Sequence, residues 1–193
     1  MNRYRRMLFI FVLLGIIVSG NAQTRWKPFA LHPDVKALDL LYEIQAQDGK
    51  TMNYRIQVKR VKEGMIDVAI NTTARLPEKQ LGAQTLLGLW SVYGISAMAF
   101  FNPAYTILFS QMDLTVGEKM SFFGAGMAKV TGEKTVGGLK GKVVEFYQQE
   151  GEQQRLVSRS VIHPKVFIPL ENIIYDGNGN VQSRITLIKG EIK

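Results

Sequence analysis

The sequence predicts a mainly β (α+β) fold, in which an antiparallel sheet packs with one apolar helical segment. Apolar and polar residues alternate along several segments, which is the pattern of strands with one solvated face. Turn dipeptides such as Asp48-Gly49 separate neighbouring segments, and such dipeptides favour hairpins. Strands and helices do not alternate along the chain, which argues against a parallel sheet. The exception to this pattern is a long segment, residues 80–112, that contains no charged residue.

The composition is that of an ordinary folded protein. The chain has 193 residues, of which 46% are hydrophobic and 21% charged, and its formal net charge is +8. This length fits one domain, and the chain is too apolar to be disordered. The absence of cysteine excludes disulfides, thiol catalysis and sulfur-ligated zinc. His32 and His163 are the only histidines, which leaves little material for a histidine-rich metal centre. We expect no metal site and no cofactor.

The first 22 residues predict a secretory signal peptide. Residues 2–6 include three arginines, and residues 7–18 are almost wholly apolar. Gly20 and Ala22 then supply the small residues that a cleavage site needs. We therefore expect cleavage after Ala22, a periplasmic location and a single β-rich domain over residues 23–193. An uncleaved membrane anchor is the alternative, although the apolar stretch is shorter than the roughly 20 residues of a typical span.

A three-stranded meander is predicted over residues 38–73. Apolar residues occupy alternate positions there, and Asp48-Gly49 and Glu63-Gly64 mark the two turns. Alternation places one set of apolar side chains on a common face of the second and third strands. These side chains are Tyr54, Ile56, Val58, Ile66, Val68 and Ile70. We expect this face to line the interior of the sheet.

The second half of the chain predicts further antiparallel strands. Their expected ranges are 104–110, 119–131, 142–149, 155–162 and 181–189, with a short strand near 171–175. The glycines at 137–138 and the Gly/Asn-rich residues 176–180 indicate turns. Pro164 and Pro169 flank an extended segment, which suits a sheet edge or corner.

A helical insertion is predicted at about residues 79–101, with three interpretations. It is a core helix packed on the sheet, a transmembrane helix, or a lid or plug over a concave sheet. The lid interpretation follows from the number of apolar groups, because a helix that is apolar on nearly all sides must be buried on several of them. The lid residues that would face an apolar ligand are Leu86, Trp90, Tyr93, Met98 and Phe101.

Motifs that would carry chemistry are incomplete. Residues 94–98 are similar to a nucleophile elbow but end in methionine where glycine is required. Residues 137–142 fail the phosphate-loop pattern at its first glycine and at its hydroxyl position. Residues 176–180 lack the following glycine and glutamate of a calcium loop. We therefore expect no enzyme and no nucleic-acid partner. A hydrolase built on scattered carboxylates, or on Ser96 with His163, is a third alternative.

The closing stretch carries a resemblance to a known family. A proline-flanked segment, residues 163–170, precedes a strand, the turn at 176–180 and a final strand at 181–187. Together with a signal peptide, a meander and a central apolar segment, this layout resembles the periplasmic lipoprotein-carrier superfamily (LolA/LolB-like). The resemblance implies a strongly curved half-barrel, closed by helices around an apolar cavity that holds acyl chains. No ligand residue of that family is transferred to a position here.

The leading hypothesis is a non-enzymatic exported protein that binds a lipid or another acyl-bearing ligand, including a lipoprotein. The apolar sheet face and the five predicted lid residues would line its cavity, and burial of apolar surface would drive binding. The alternative is a structural or interaction module of the cell envelope, with a filled core and no ligand. The positive charge is compatible with peripheral contact with a membrane.

Overall fold

The structure, a computed structural model, describes residues 25–28, 30–46, 51–62, 64–74, 109–122, 126–151 and 153–193. The predicted signal peptide, the predicted Asp48-Gly49 turn and the predicted helical insertion lie outside the described residues. The predicted lid residues Leu86, Trp90, Tyr93, Met98 and Phe101 therefore lie outside them as well. Within the described part of the chain, only residues 109–111 are helical.

Nine strands make up the described fold. They are β1 (Ala37–Ala46), β2 (Thr51–Lys62), β3 (Met65–Ala74), β4 (Lys119–Phe122), β5 (Gly126–Val136), β6 (Leu139–Glu150), β7 (Gln153–Ile162), β8 (Glu171–Tyr175) and β9 (Val181–Ile192). All neighbours pair antiparallel, in the order β3-β2-β1-β9-β8-β7-β6-β5-β4. The β1–β9 pair joins the meander of β1–β3 to the meander of β4–β9. The prediction of a mainly β, antiparallel fold is confirmed.

Most predicted strands correspond to observed ones, and two need correction. Residues 119–131 are predicted as one strand but contain β4 and the start of β5, which pair with each other. Gly126 accompanies this reversal with a φ of 144°, a conformation that favours glycine. Residues 104–110 are also predicted as a strand, yet the described end of that range is helical. A short apolar run fits both the two-residue period of a strand and the 3.6-residue period of a helix, so the hydrophobic pattern does not distinguish strand from helix there.

The sheet is open and curved. Among the described residues, β3 and β4 each pair on one side only. The Gly190 N–H group in β9 donates to the Gly137 carbonyl in the β5–β6 turn at 2.8 Å, although β8 and β7 lie between β9 and β6. The sheet must bend for these groups to meet. Gly137 suits the contact because its φ is 57° and because a Cβ atom would lie 2.6 Å from the Leu187 side chain.

The main core lies on one face of β1, β2 and β9, which we call the inner face. Its buried strand residues include Leu38, Leu40, Tyr42, Tyr54, Ile56, Val58, Ile185 and Leu187. The connection between β7 and β8, residues 163–170, covers this face and adds the fully buried Val166, Ile168 and Leu170. The chain therefore fills this part of the inner face with its own side chains.

Hydrogen bonds fix this cover in place. The Trp26 indole N–H donates to the Val166 carbonyl at 2.7 Å, and the Tyr42 hydroxyl donates to the Pro169 carbonyl at 3.1 Å. Both prolines of this connection lie between β7 and β8, outside the strands. Proline lacks an N–H donor, which costs nothing here because both bonds use carbonyl groups of the connection.

A second apolar cluster covers β5 and β6. Its members are Trp26, Phe109, Met112, Leu114, Ala128, Val130, Val144, Phe146 and Ile162. Residues 109–114, which precede β4, thus pack on the strands that follow it. An isolated bridge between Arg25 and Asp113 joins this segment to the start of the described chain.

Candidate functional site

The described surface carries a row of exposed apolar side chains on β3. Ile66, Val68 and Ile70 are 48%, 53% and 48% exposed. They occupy alternate positions of one strand, so they share one face of the sheet. Single exposed apolar residues are common, whereas contiguous ones mark interaction sites. We call these three residues the β3 row.

The β3 row continues the inner face of the sheet. In the β2–β3 pairing, Ile70 lies opposite Ile56 and Val68 lies opposite Val58. Ile56 and Val58 are only 6% and 3% exposed. Two neighbouring strands thus carry similar side chains on one face, and the cover of that face ends between them.

The strand that carries the row is also an edge strand. In the described part of the chain, β3 pairs with β2 and has no neighbour on its other side. Backbone N–H and C=O groups along that side can pair with another strand. Edges are commonly protected by lysine or proline, but residues 65–74 contain neither. Asp67, the only charged residue in that range, lies on the opposite face by alternation.

The structure divides the predicted sheet residues between two environments. Tyr54, Ile56 and Val58 belong to the core that residues 163–170 cover, while Ile66, Val68 and Ile70 form the exposed β3 row. The predicted lid residues lie outside the described residues. The six sheet residues of the predicted cavity wall thus lie on one face of the sheet. Three of them are buried in the filled core, and the other three are exposed. No helix within the described ranges has the length and apolarity to cross a membrane.

Sequence reasoning missed the cover formed by residues 163–170. The available signal was the apolar content of this connection, which holds Val166, Phe167, Ile168 and Leu170 within eight positions. Loops normally run over the surface, so a loop this apolar indicates burial. The missed edge position of β3 had no comparable signal in the sequence.

The face opposite the inner face is charged. A groove of about 350 Å³ lies there, and its lining includes Asp39, Lys59, Asp67, Glu191 and Lys193. The Arg55 guanidinium donates two hydrogen bonds to the Asp39 carboxylate, at 2.8 and 2.6 Å, and these bonds lower the pKa of Asp39. The groove carries both signs of charge, so it selects no single class of charged ligand.

Two buried carboxylates bind neighbouring side chains. Glu145 accepts hydrogen bonds from Arg159 at 2.9 Å and from the Tyr147 hydroxyl at 2.7 Å. Burial and the bond to Glu145 raise the pKa of Tyr147 to about 12. Glu171 accepts a hydrogen bond from Lys134 at 2.6 Å. Each carboxylate therefore acts as an acceptor within the fold.

The remaining candidates for chemistry also bind local groups. His163 Nδ1 accepts the Lys165 backbone N–H at 3.1 Å, and burial lowers the pKa of the His163 imidazole. Its predicted partner Ser96 lies outside the described residues. Asp176 accepts two backbone N–H groups of its own turn, at 2.9 and 2.8 Å. No group of three or more potential metal-ligating side chains occurs within the described ranges.

Comparison with known proteins gives a distant structural likeness. No protein-family model matches the chain, and no curated protein matches it, whereas 12 chains of solved structures do. The crystal structure of MucB is 8% identical, covers 81% of this chain and 53% of its own, and has a TM-score of 0.38. MucB in complex with MucA(peri) is 10% identical, with coverages of 81% and 50% and a TM-score of 0.35. The complex of Pseudomonas aeruginosa MucA/MucB is 10% identical, with coverages of 81% and 51% and a TM-score of 0.37.

The chain thus spans about half the length of the solved chains it matches. The resemblance to the lipoprotein-carrier superfamily stays a prediction.

Proposed function

We propose that this chain is an exported, non-enzymatic interaction module that binds a polypeptide strand along β3. The observation that carries the proposal is the β3 row, three apolar side chains that are each about half exposed on an edge strand. An added strand would bury the row and, at the same time, pair the backbone groups on the side of β3 where no described strand lies. This is the interaction-module alternative predicted from the sequence, with a docking surface assigned to it.

A polypeptide fits this surface better than an acyl chain does. An acyl chain would cover the apolar side chains but would leave the neighbouring N–H and C=O groups of β3 without partners. A polar group that is buried without a hydrogen bond costs about 1–3 kcal/mol. A bound β-strand avoids this cost, because its backbone groups pair with those of β3 while its side chains cover the β3 row.

The filled part of the inner face supports the same choice. The sequence predicts an acyl cavity against Tyr54, Ile56 and Val58, but these side chains cluster with Val166 and Ile168 of the chain itself. Among the described residues, this region is packed core and not the predicted cavity. A lipid or a lipidated protein is the alternative ligand, and its acyl chain would have to bind on the β3 row.

The other parts of the proposal rest on the sequence and on local contacts. Export is inferred from the basic, apolar and small-residue pattern of residues 1–22. The absence of cysteine is compatible with the bacterial periplasm. A non-enzymatic role is inferred because Glu145, Glu171 and His163 each bind neighbouring groups of the fold.

A photo-crosslinking amino acid at position 68 tests the proposal in cells that produce the protein. Position 188 is the matched control, because Ile188 is 51% exposed but lies in β9, which has a strand on each side. We expect protein adducts from position 68 and none from position 188, identified by mass spectrometry. Acyl adducts at position 68 would favour the lipid-binding hypothesis instead. Identical adducts from the two positions would overturn the proposal.

A further inference from the structure

We propose that the strand bound by β3 is β3 of a second copy of this chain, paired antiparallel about a two-fold axis at Val68. This inference rests on the proposed function, because it names the partner of the same surface. Two-fold dimers are the commonest homo-oligomers, and their interfaces pair one surface with itself. The surface must therefore be complementary to itself, in side chains and in charge.

A pairing centred on Val68 meets this requirement. Val68 then lies opposite its own equivalent, and Ile66 lies opposite Ile70 of the second copy. On the other face, Asp67 lies opposite Ala69, so the two carboxylates do not face each other. Moving the centre by one residue to Asp67 would place the two carboxylates directly opposite each other, which is destabilising. The charge of Asp67 thus favours the register that also aligns the β3 rows.

This pairing continues the inner face across both copies. In each copy the row adjoins Ile56 and Val58 of β2, so the joined rows would form one apolar strip between the two β2 strands. Directly opposite residues of an antiparallel pair have Cβ atoms about 4.5–5.5 Å apart. The two rows would therefore contact each other and lose much of their exposure to water, which is favourable.

The two edges of the sheet differ as this proposal requires. β4 has 4 residues and begins at the exposed Lys119, and short edge strands with lysine resist association. β3 has 10 residues, with neither lysine nor proline. Among the described strands, β3 is thus the only long edge without such protection, so pairing through β3 uses this edge completely and ends at two copies.

Other occupants of the β3 row predict a different state of the purified protein. The purified protein would be a monomer if the occupant of the row were the uncharged segment 80–112 of the same chain, a different protein or an acyl chain. The oligomeric state therefore separates the second copy from these occupants.

Analytical ultracentrifugation of the purified protein tests the inference. We expect a monomer–dimer equilibrium that depends on concentration. Val68→Lys should raise the dissociation constant at least about tenfold, because like charges would lie opposite each other. Ile188→Lys is the control and should leave the equilibrium unchanged. Mixing Val68→Lys with Val68→Asp chains should restore the dimer, because opposite charges then meet on the axis.

A single cysteine gives a second test that depends on geometry. The chain has no cysteine, so Val68→Cys introduces the only thiol. Opposite residues of an antiparallel pair have Cα atoms about 4.5–5.5 Å apart, which is within the range of a disulfide. We expect mild oxidation to link Val68→Cys chains as dimers and to leave Ile188→Cys chains monomeric.

Three results would overturn the inference. The first is a monomer at every concentration with no disulfide from Val68→Cys. The second is a dimer that Val68→Lys does not weaken, and the third is a mixture with Val68→Asp that fails to restore the dimer. None of these results bears on the proposed function, which depends on whether position 68 forms protein adducts that position 188 lacks.

Discussion

Val58 and Val68 are the same residue type on the same face, yet their surroundings differ. They lie directly opposite each other in β2 and β3, and they are 3% and 53% exposed. Both strands alternate between apolar and polar residues, so the local pattern does not explain the difference. The connection at residues 163–170 does, because its side chains cluster with β2 and not with β3.

The difference shows that the face of a strand residue and the cover over that face have separate causes. Alternation determines the face, since successive side chains point to opposite sides of a sheet. The cover depends on contacts that are remote in sequence, such as the hydrogen bond from Trp26 to Val166 across 140 positions. A strand can therefore have a well-defined apolar face that the rest of the described chain leaves exposed.

Weakening the cover should have the largest effect on stability. Ile168 is fully buried in the connection, so Ile168→Ala should lower the free energy of unfolding by about 3 kcal/mol through the cavity it leaves. The control Ile188→Ala changes an exposed isoleucine and should cost less than about 0.5 kcal/mol. Urea denaturation measures both values. Equal losses would contradict the assignment of residues 163–170 as the cover.

The facing valines give the next largest difference. Val58→Ala should lower the free energy of unfolding by about 2 kcal/mol, because the side chain is almost fully buried. Val68→Ala should cost less than about 0.5 kcal/mol in dilute solution, where the β3 row faces water. Both are measured by urea denaturation at low protein concentration. If the two costs are equal, the row is covered within the folded chain, and the surface on which both proposals rest is absent.

The strands were largely predictable because their signals are local. The expected strand at 171–175 coincides with β8, and the meander expected over 38–73 corresponds to β1–β3. Alternation and turn residues act over a few positions, so the strands that they predict depend little on contacts with distant parts of the chain. The reversal between β4 and β5 was missed because alternation continues on both sides of it.

The candidate site was predictable only in part. Alternation placed the residues of the β3 row on one face with Val58, and the structure has them there. It could not indicate that β1 pairs with β9, and this pairing is what leaves β3 at the edge. Strand order and cover both arise from contacts between distant parts of the chain, which a single sequence does not display.

A smaller effect is expected from the hydrogen bond between β1 and the cover. The buried Tyr42 hydroxyl donates to the Pro169 carbonyl at 3.1 Å. Tyr42→Phe keeps the ring and removes this bond, so it should lower the free energy of unfolding by about 1 kcal/mol. Urea denaturation provides the measurement. An unchanged free energy of unfolding would mean that this bond does not help to hold the cover on β1.

The smallest expected effect is a pH dependence of the same cover. Burial, with Lys165 and His32 nearby, lowers the pKa of His163 in the folded chain. The unfolded chain therefore binds the proton at a higher pH, with a pKa of about 6.5, and stability should fall as the pH drops from about 7.5 towards 5. The pKa of Asp39 is lowered too, but an aspartate contributes to acid sensitivity only below a pH of about 5.

His163→Asn isolates this contribution to the pH dependence. Asparagine supplies an acceptor for the Lys165 N–H, which His163 Nδ1 accepts at 3.1 Å, and it does not titrate. The variant should therefore lose much of the decline in unfolding free energy between about pH 7.5 and 5. The control His32→Asn should keep most of it, because burial is the largest cause of the lowered pKa of His163 and the charge of His32 only a minor one. Urea denaturation at several pH values measures the slope. A slope that His163→Asn leaves unchanged would place the pH dependence outside the cover, since the only other histidine of the chain is His32.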